Sequence, residues 1–554
     1  MSTTPRPDGD RRAFLSSLGR AGAFLASTSW LGAIGYAQQA GRGPARAFAR
    51  RAPGRGDFDR RVFGSFLEHL GRAVYTGVYQ PGSGLADAKG FRTDVAREVR
   101  ELGVPIVRYP GGNFVSGYNW LDGVGPRAQR PTVLERAWNS IETNQFGTND
   151  FVDWCGVVGT EPLLGLNVGT GSVEMAVAYV EYCNVERGTK WSDLRRSHGY
   201  ERPHNVRYWC VGNEMDGPWQ IGRLQAREYG RKARDVAQQM RVIDPALQLI
   251  ACGSSGTFMP TYLTWDREVL EECYDMVDGI SLHAYFGNTK EWSGDSTARF
   301  LASNLDMDRH IHEVGAVCDY VQGLQKSPKR LWLSFDEWNV WYRTRDAQSV
   351  DGKRTIAPRL LEEVYNLEDA LLVGGFINTL LRNSDRVRVA CLAQLVNVIA
   401  PLVTNDTGVL RQSTFYPYNW ALKYARGRVL DLRVESETYP IKGAGLQADF
   451  ARDADVPFVD LVATVDDQAG QAAVLLLNRD LENEREVVLE WSDVTPTRVL
   501  ACDTLTGADL KAFNTFANPG RVAPQRLDAP AAGSRMTFRL PARSYTAVHL
   551  STRA

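Results

Sequence analysis

The sequence predicts an α/β chain: a (β/α)8 TIM barrel followed by an all-β sandwich. Three observations point there. Between residues 61 and 422, eight short apolar runs alternate with longer amphipathic stretches, the repetition of a closed parallel barrel. After about residue 425 the helical patterns give way to short alternating runs separated by turn-formers, as in a sandwich of sheets. Two apolar runs, Arg207-Tyr208-Trp209-Cys210-Val211-Gly212-Asn213-Glu214 and Leu331-Trp332-Leu333-Ser334-Phe335-Asp336-Glu337, each stop on an acid. Acids at the C-terminal ends of parallel strands are where such a barrel keeps its active site.

The barrel strands are expected at 62–66, 104–109, 162–167, 206–212, 247–252, 277–283, 331–335 and 387–393. Most are near-continuous runs of Val, Ile, Leu or Trp, which suits strands covered on both faces. Helical spacing of apolar residues appears at 94–102, 173–184, 224–240, 307–325 and 360–382. Sandwich strands are expected at 429–434, 458–464, 472–478, 486–491, 498–503, 536–540 and 545–550. The division is therefore a barrel over 61–422 and a sandwich over 423–554.

The first 49 residues stand apart. Asp10-Arg11-Arg12-Ala13-Phe14-Leu15 has the form of a twin-arginine export signal, a weakly apolar segment runs from Ala21 to Ala37, and Ala47-Phe48-Ala49 offers a small-residue cleavage site, with a second candidate near Ala40. Their order favours an exported enzyme over a cytoplasmic one with an N-terminal arm. The apolar segment is short and broken by glycine, so no membrane anchor is expected.

Composition narrows the function. A chain of 554 residues exceeds one core and calls for more than one domain. Lys+Arg 64 against Asp+Glu 65 gives a net charge of −1, which offers no field for nucleic acid or anionic lipid. Neutral polar substrates fit better. The 8 cysteines show no C-x-x-C spacing and no His/Cys cluster, so neither a metal nor a disulfide framework is expected. Gly111-Gly112 and Gly253-Ser254-Ser255-Gly256 lack the spacing of a phosphate loop. No G-x-S-x-G elbow is present.

Polar residues at the strand ends converge. Glu68 and His69 follow the first strand, Arg108 and Asn113 the second, Asn167 the third. Asn213 and Glu214 follow the fourth, His283 and Tyr285 the sixth, Glu337 the seventh, and Gln394 and Asn397 the eighth. So many polar groups are hard to explain as core, since each one buried unpaired costs about 1–3 kcal/mol. Two opposed carboxyl groups are what glycoside hydrolysis needs: one protonated to serve the leaving oxygen, one ionised to attack the sugar. Asn213 is placed to hold the sugar 2-hydroxyl, and Tyr285 to orient the nucleophile. Strand position alone leaves open which Glu takes which role. Asp336, one residue from Glu337, should point the other way by strand alternation.

The motifs resemble those of glycoside hydrolase family 51, the α-L-arabinofuranosidases. The resemblance rests on Tyr208-Trp209-Cys210-Val211-Gly212-Asn213-Glu214-Met215-Asp216-Gly217-Pro218-Trp219-Gln220, on Arg108-Tyr109-Pro110-Gly111-Gly112-Asn113 and on Ser334-Phe335-Asp336-Glu337-Trp338-Asn339. Ser281-Leu282-His283-Ala284-Tyr285 and Cys391-Leu392-Ala393-Gln394-Leu395-Val396-Asn397 complete it. It covers about residues 58–554. It implies a retaining exo-hydrolase of terminal α-L-arabinofuranosyl groups, with Glu214 as acid/base and Glu337 as nucleophile. It further implies that Glu68, Arg108, Asn113, Asn213 and Gln394 hold the furanose. His283 and Tyr285 would support the acids, and Trp138 would line the entrance. It implies a jelly-roll sandwich joined by a strand from residues 50–60, no cofactor, and a homohexamer built as a trimer of dimers. The competing readings are an endo-acting or other-sugar hydrolase of the same barrel type, and a silent carbohydrate-binding protein.

Overall fold

The computed structural model describes residues 43–54, 56–290, 292–342, 354–443 and 453–553. Eight parallel strands close into a barrel: Gly64–Phe66, Ile106–Tyr109, Glu161–Gly165, Tyr208–Val211, Gln248–Ala251, Gly279–Phe286, Trp332–Val340 and Val387–Leu392. Their side chains are buried on both faces in the main, as the unbroken apolar runs require. The first strand starts later than expected because Asp59 caps a short turn over Arg60–Phe63.

Helices cover the barrel. In Ala226–Ile243 the residues Tyr229, Ala233, Val236, Ala237 and Met240 form the buried stripe. Thr93–Leu102 ends on Gly103, whose φ of 75° admits the left-handed cap. Leu367–Arg382 starts where the Asn366 side chain accepts from Asp369 N. It is buried almost all round, because it lies between the barrel and the sandwich. Gly374 makes that approach possible: a Cβ there would sit 2.4 Å from the Tyr545 ring.

The sandwich has two sheets. One orders Asp431–Glu435, Ala45–Arg50, Arg485–Trp491 and Arg535–Leu540. The other orders Arg428–Val429, Val459–Asp466, Gln471–Asn478, Ser544–Ser551, Arg498–Leu505 and Gln525–Arg526. Val474, Leu476, Leu489, Phe538, Val548 and neighbours fill the space between them.

The N-terminal strand lies at Ala45–Arg50, ahead of the expected 50–60 and inside the expected leader. Ala45, Ala47 and Ala49 face the sandwich core while the residues between them face outward. The strand pairs in parallel with Arg485–Trp491, Ala47 opposite Leu489. The small residues read as a cleavage site are thus one face of an interior strand. The leader up to residue 42 lies outside the described residues. Among the described residues no helix is long and apolar enough to cross a membrane.

A buried polar cluster docks the barrel helices on the sandwich. Asp460, fully buried, accepts from Arg382 Nη1 (2.5 Å), Arg479 Nη2 (2.8 Å) and Asn304 Nδ2 (2.9 Å). Burial alone would raise its pKa, but the two guanidinium groups hold it well below the carboxylate range. Asp460→Ala would leave Arg479 buried and uncompensated, so a stability loss of about 3–5 kcal/mol is expected, read as a lower denaturant midpoint; an unchanged midpoint would reject this role. The contribution is present above about pH 4, the unfolded carboxyl value, and disappears as pH falls through the depressed folded value.

Candidate active site

The barrel's C-terminal mouth holds a cavity of about 330 Å³. Glu337 forms part of its floor. Arg108 Nη1 donates to Glu337 Oε1 at 2.6 Å, and the Tyr285 hydroxyl donates to Oε2 at 2.7 Å. Both oxygens therefore accept, the pattern of an ionised carboxylate. Burial and the charge of Glu337 raise the Tyr285 pKa well above its ordinary value, so the phenol stays a donor. Arg108, 1% exposed, also donates to Asn213 Oδ1 at 2.6 Å and lies over the Phe66 ring. Asn213 in turn faces Asn113 Oδ1 at 3.5 Å.

Glu214 stands opposite. Its backbone sits at φ 43°, in the left-handed region, which costs a non-glycine residue about 1–3 kcal/mol and is characteristic of functional positions. Its Oε1 pairs with His283 Nδ1 at 2.9 Å, and its Oε2 accepts from Trp219 Nε1 at 2.6 Å. Burial, then the charge of Glu337, raises the Glu214 pKa against the His283 hydrogen bond. His283 is raised too, to about 10: burial opposes, but Glu337, Asp336 and Glu214 together prevail. Its Nε2 lies 3.2 Å from Asp336 Oδ1, and Asp336 is held low, against its burial, by Arg108 and His283. Asp336 thus fixes the proton on Nε2. Glu214 Oε1 and His283 Nδ1 share one hydrogen bond, so the two groups titrate as a pair.

Glu68 closes the third side. Phe114 N (2.8 Å) and Trp138 Nε1 (3.0 Å) donate to its Oε1, and Gln394 Nε2 reaches its Oε2 at 3.4 Å. Burial lifts its pKa to about 8 in spite of the Phe114 and Trp138 bonds, with Glu337 adding to the rise. Gly112 keeps the pocket open between the acids. A Cβ there would stand 3.1 Å from both Glu337 Oε1 and Glu68 Oε2.

All ten residues expected at the site, Glu68, Arg108, Asn113, Trp138, Asn213, Glu214, His283, Tyr285, Glu337 and Gln394, lie at or beside this cavity. Three other strand-end residues do not. His69 is held by Glu142 and Tyr109, Asn167 by Tyr118 O and Thr170, and Asn397 by Arg72 O and Thr404. Asp336 was expected to point away from Glu337. Instead the strand carries an extra residue here: Ser334 pairs with Ser281 but Glu337 with His283. This bulge breaks the alternation, so Asp336 and Glu337 both reach His283 and Arg108. Trp219 carried no role in the sequence; no spacing signals that its N–H reaches back to Glu214.

Glu214, His283 and Glu337 offer ligand atoms within 4.8 Å of one another. A divalent cation taking one atom from each would break the hydrogen bond between His283 Nδ1 and Glu214 Oε1 and would lie beside the Arg108 guanidinium, which repels it. The donor set suits two acids sharing protons across one sugar.

Family models described as alpha-L-arabinofuranosidase 1 domain and alpha-L-arabinofuranosidase C-terminal domain match residues 98–300 and 336–544. The intracellular exo-alpha-(1->5)-L-arabinofuranosidase of Halalkalibacterium halodurans is 47% identical over 83% of this chain and 89% of its own. A Bacillus subtilis enzyme of the same description is 46% identical over 83% and 89%. Among solved structures, a family 51 alpha-L-arabinofuranosidase from Bifidobacterium longum superposes with a TM-score of 0.86 at 40% identity, covering 92% of this chain and all of that one. These names overturn the expected twin-arginine export, since the Halalkalibacterium and Bacillus relatives are named intracellular. The sandwich strand at Ala45–Arg50 removes the cleavage site at 47–49 as well.

Proposed function

The chain belongs to the α-L-arabinofuranosidases of glycoside hydrolase family 51, and from that membership we propose that Glu337 is its nucleophile and Glu214 its acid/base. The enzyme is exo-acting and releases terminal non-reducing α-L-arabinofuranosyl residues from oligo- and polysaccharides. The observation that carries the retaining mechanism is the approach of the two acids. Carboxylate oxygens of Glu214 and Glu337 lie within 4.8 Å of one another. Retention requires carboxyl groups about 5–5.5 Å apart, whereas inversion needs about 6.5–9.5 Å to admit a water.

In the first step a Glu337 oxygen attacks the anomeric carbon while the bond to the leaving oxygen breaks. The proton of the Glu214–His283 pair goes to that oxygen. In the second step a water attacks the same carbon, Glu214 takes its proton, and Glu337 leaves as carboxylate. Arg108 and Tyr285 keep Glu337 aimed in both steps. Glu68, Asn113, Asn213 and Gln394 supply donors and acceptors for the furanose hydroxyls, and Trp138 walls the entrance beside Glu68. Asn213, anchored on Arg108, is placed for the 2-hydroxyl.

Incubation with linear arabinan and an aryl α-L-arabinofuranoside tests the reading. Free arabinose as the only sugar released is expected; internal fragments, or faster turnover of xylosides or glucosides, would overturn it. The homohexamer implied by the family likeness is part of the same proposal, and sedimentation of the 61.6 kDa chain reads it directly.

A further inference from the structure

Asp336 is fully buried and bonds His283 Nε2 through Oδ1. Its other oxygen faces two groups. Arg108 Nε stands 3.7 Å away and is itself buried without a hydrogen-bond partner. The Cys210 thiol donates at 3.3 Å. Among the described residues it is the only hydrogen-bond donor to Oδ2. Cys210 lies on Tyr208–Val211, the strand that leads to Glu214. Strand alternation sends Trp209 outward, where its ring meets Tyr179 of the helix Val173–Asn184, and turns Cys210 inward. From there the thiol reaches across the barrel interior to Asp336, three strands round the closed sheet. Burial, then the charge of Asp336, pushes the thiol pKa well above its ordinary value, so the sulfur keeps its proton and donates it.

We propose that Cys210 is a positioning residue for the acid: its thiol holds Asp336 Oδ2, so that Oδ1 stays on His283 and the imidazole stays on Glu214. The inference rests on the reading of Glu214 as the acid/base. One line of hydrogen bonds runs from Cys210 through Asp336 and His283 to Glu214. Without the thiol, Oδ2 is left with one donor nearby, the unpartnered Arg108 Nε. A carboxylate turns as a rigid plane, so moving Oδ2 toward that donor draws Oδ1 away from His283. The imidazole then loses its bond at Nε2, and the Glu214–His283 pair gives up its proton at lower pH.

The other groups packed on this line keep their charge near neutral pH. Burial and the Asp336 charge keep Cys391 a thiol, and burial lifts Cys252 to about 12. His310, on the helix Asn304–Gln325, is pushed down by burial to about 3 and stays neutral. Arg108 stays a cation and Tyr285 a phenol. Glu337, 3.6 Å from the imidazole, is held by those two. Glu68, lifted by burial to about 8, does titrate, but it faces Glu337, and its effect is common to every variant at position 210.

The test compares Cys210→Ala with Cys210→Ser. In Cys210→Ala, kcat on an arabinofuranosyl disaccharide should fall about tenfold with KM little changed, and the alkaline limb should begin about one pH unit lower, the scale of one hydrogen bond to a charged group. A dinitrophenyl arabinofuranoside, which needs little proton donation, should lose far less. Cys210→Ser still donates and should restore most of both. The contact is also read without turnover, in the infrared S–H stretching bands. The band missing from Cys210→Ser belongs to Cys210, and donation to an anion should place it below the bands of the other buried cysteines. An unshifted band, an unchanged alkaline limb in folded Cys210→Ala, an equal loss on both leaving groups, or a serine variant no better than alanine would overturn the proposal. Glu214→Ala reads the acid role by itself, so the two can fail independently.

Discussion

Glu337→Gln is expected to lower kcat on an aryl α-L-arabinofuranoside by about 10⁴-fold or more, the scale of losing a covalent nucleophile. The amide keeps the volume of the acid and can still accept from Arg108 or Tyr285, so the fold should survive; an unchanged thermal midpoint checks this. What disappears is the charge that attacks the sugar and the oxygen that carries it between the two steps. The loss should fall alike on activated and unactivated leaving groups, because neither can proceed without the glycosyl-enzyme. Activity within tenfold of the original would remove Glu337 from the role.

Glu214→Ala should act differently. It takes away the proton that the leaving oxygen needs, which general acid catalysis values at about 10²- to 10⁴-fold. Sugar and phenol leaving groups should lose that much, and a dinitrophenyl group, which leaves as the anion, far less in the first step. Azide, fitting the space vacated by the carboxyl, should speed the second step and yield an arabinosyl azide. The pH profile carries the same information. Burial and the Glu337 charge raise the Glu214 pKa, and the donor must be protonated. Turnover should therefore persist above the ordinary carboxyl range and decline as pH rises through the raised value of the Glu214–His283 pair. In Glu214→Ala that decline should vanish. A uniform loss across leaving groups, with the alkaline limb intact, would count against the acid role.

The barrel was legible because its strands are buried on both faces and so read as unbroken apolar runs; all eight expected runs overlap an observed barrel strand. Helices were harder. Phe415–Tyr424 is rich in aromatic residues, and packing against Tyr545 and the sheet, not intrinsic preference, holds it helical. Ala45–Arg50 was misread because alternating alanines serve equally as a cleavage signal and as the inner face of a strand against bulky neighbours. Its two sheet partners, Asp431–Glu435 and Arg485–Trp491, lie hundreds of positions away and decide between them.

At the site, the residue types were visible because strand ends converge by topology. The partners were not. A bulge at Asp336 cannot be foreseen from a period of two. The bond from Trp219 to Glu214 depends on a turn that reverses over Gly217 and Pro218.

The most direct measurement is to trap the glycosyl-enzyme with a slow, activated arabinofuranoside bearing fluorine at C2 and to map the modified peptide by mass spectrometry. The added mass should be found on Glu337 alone, and Glu337→Gln should take no label. Label on Glu214 or on Glu68, or hydrolysis with inverted anomeric configuration and no adduct, would contradict a double displacement across this pair.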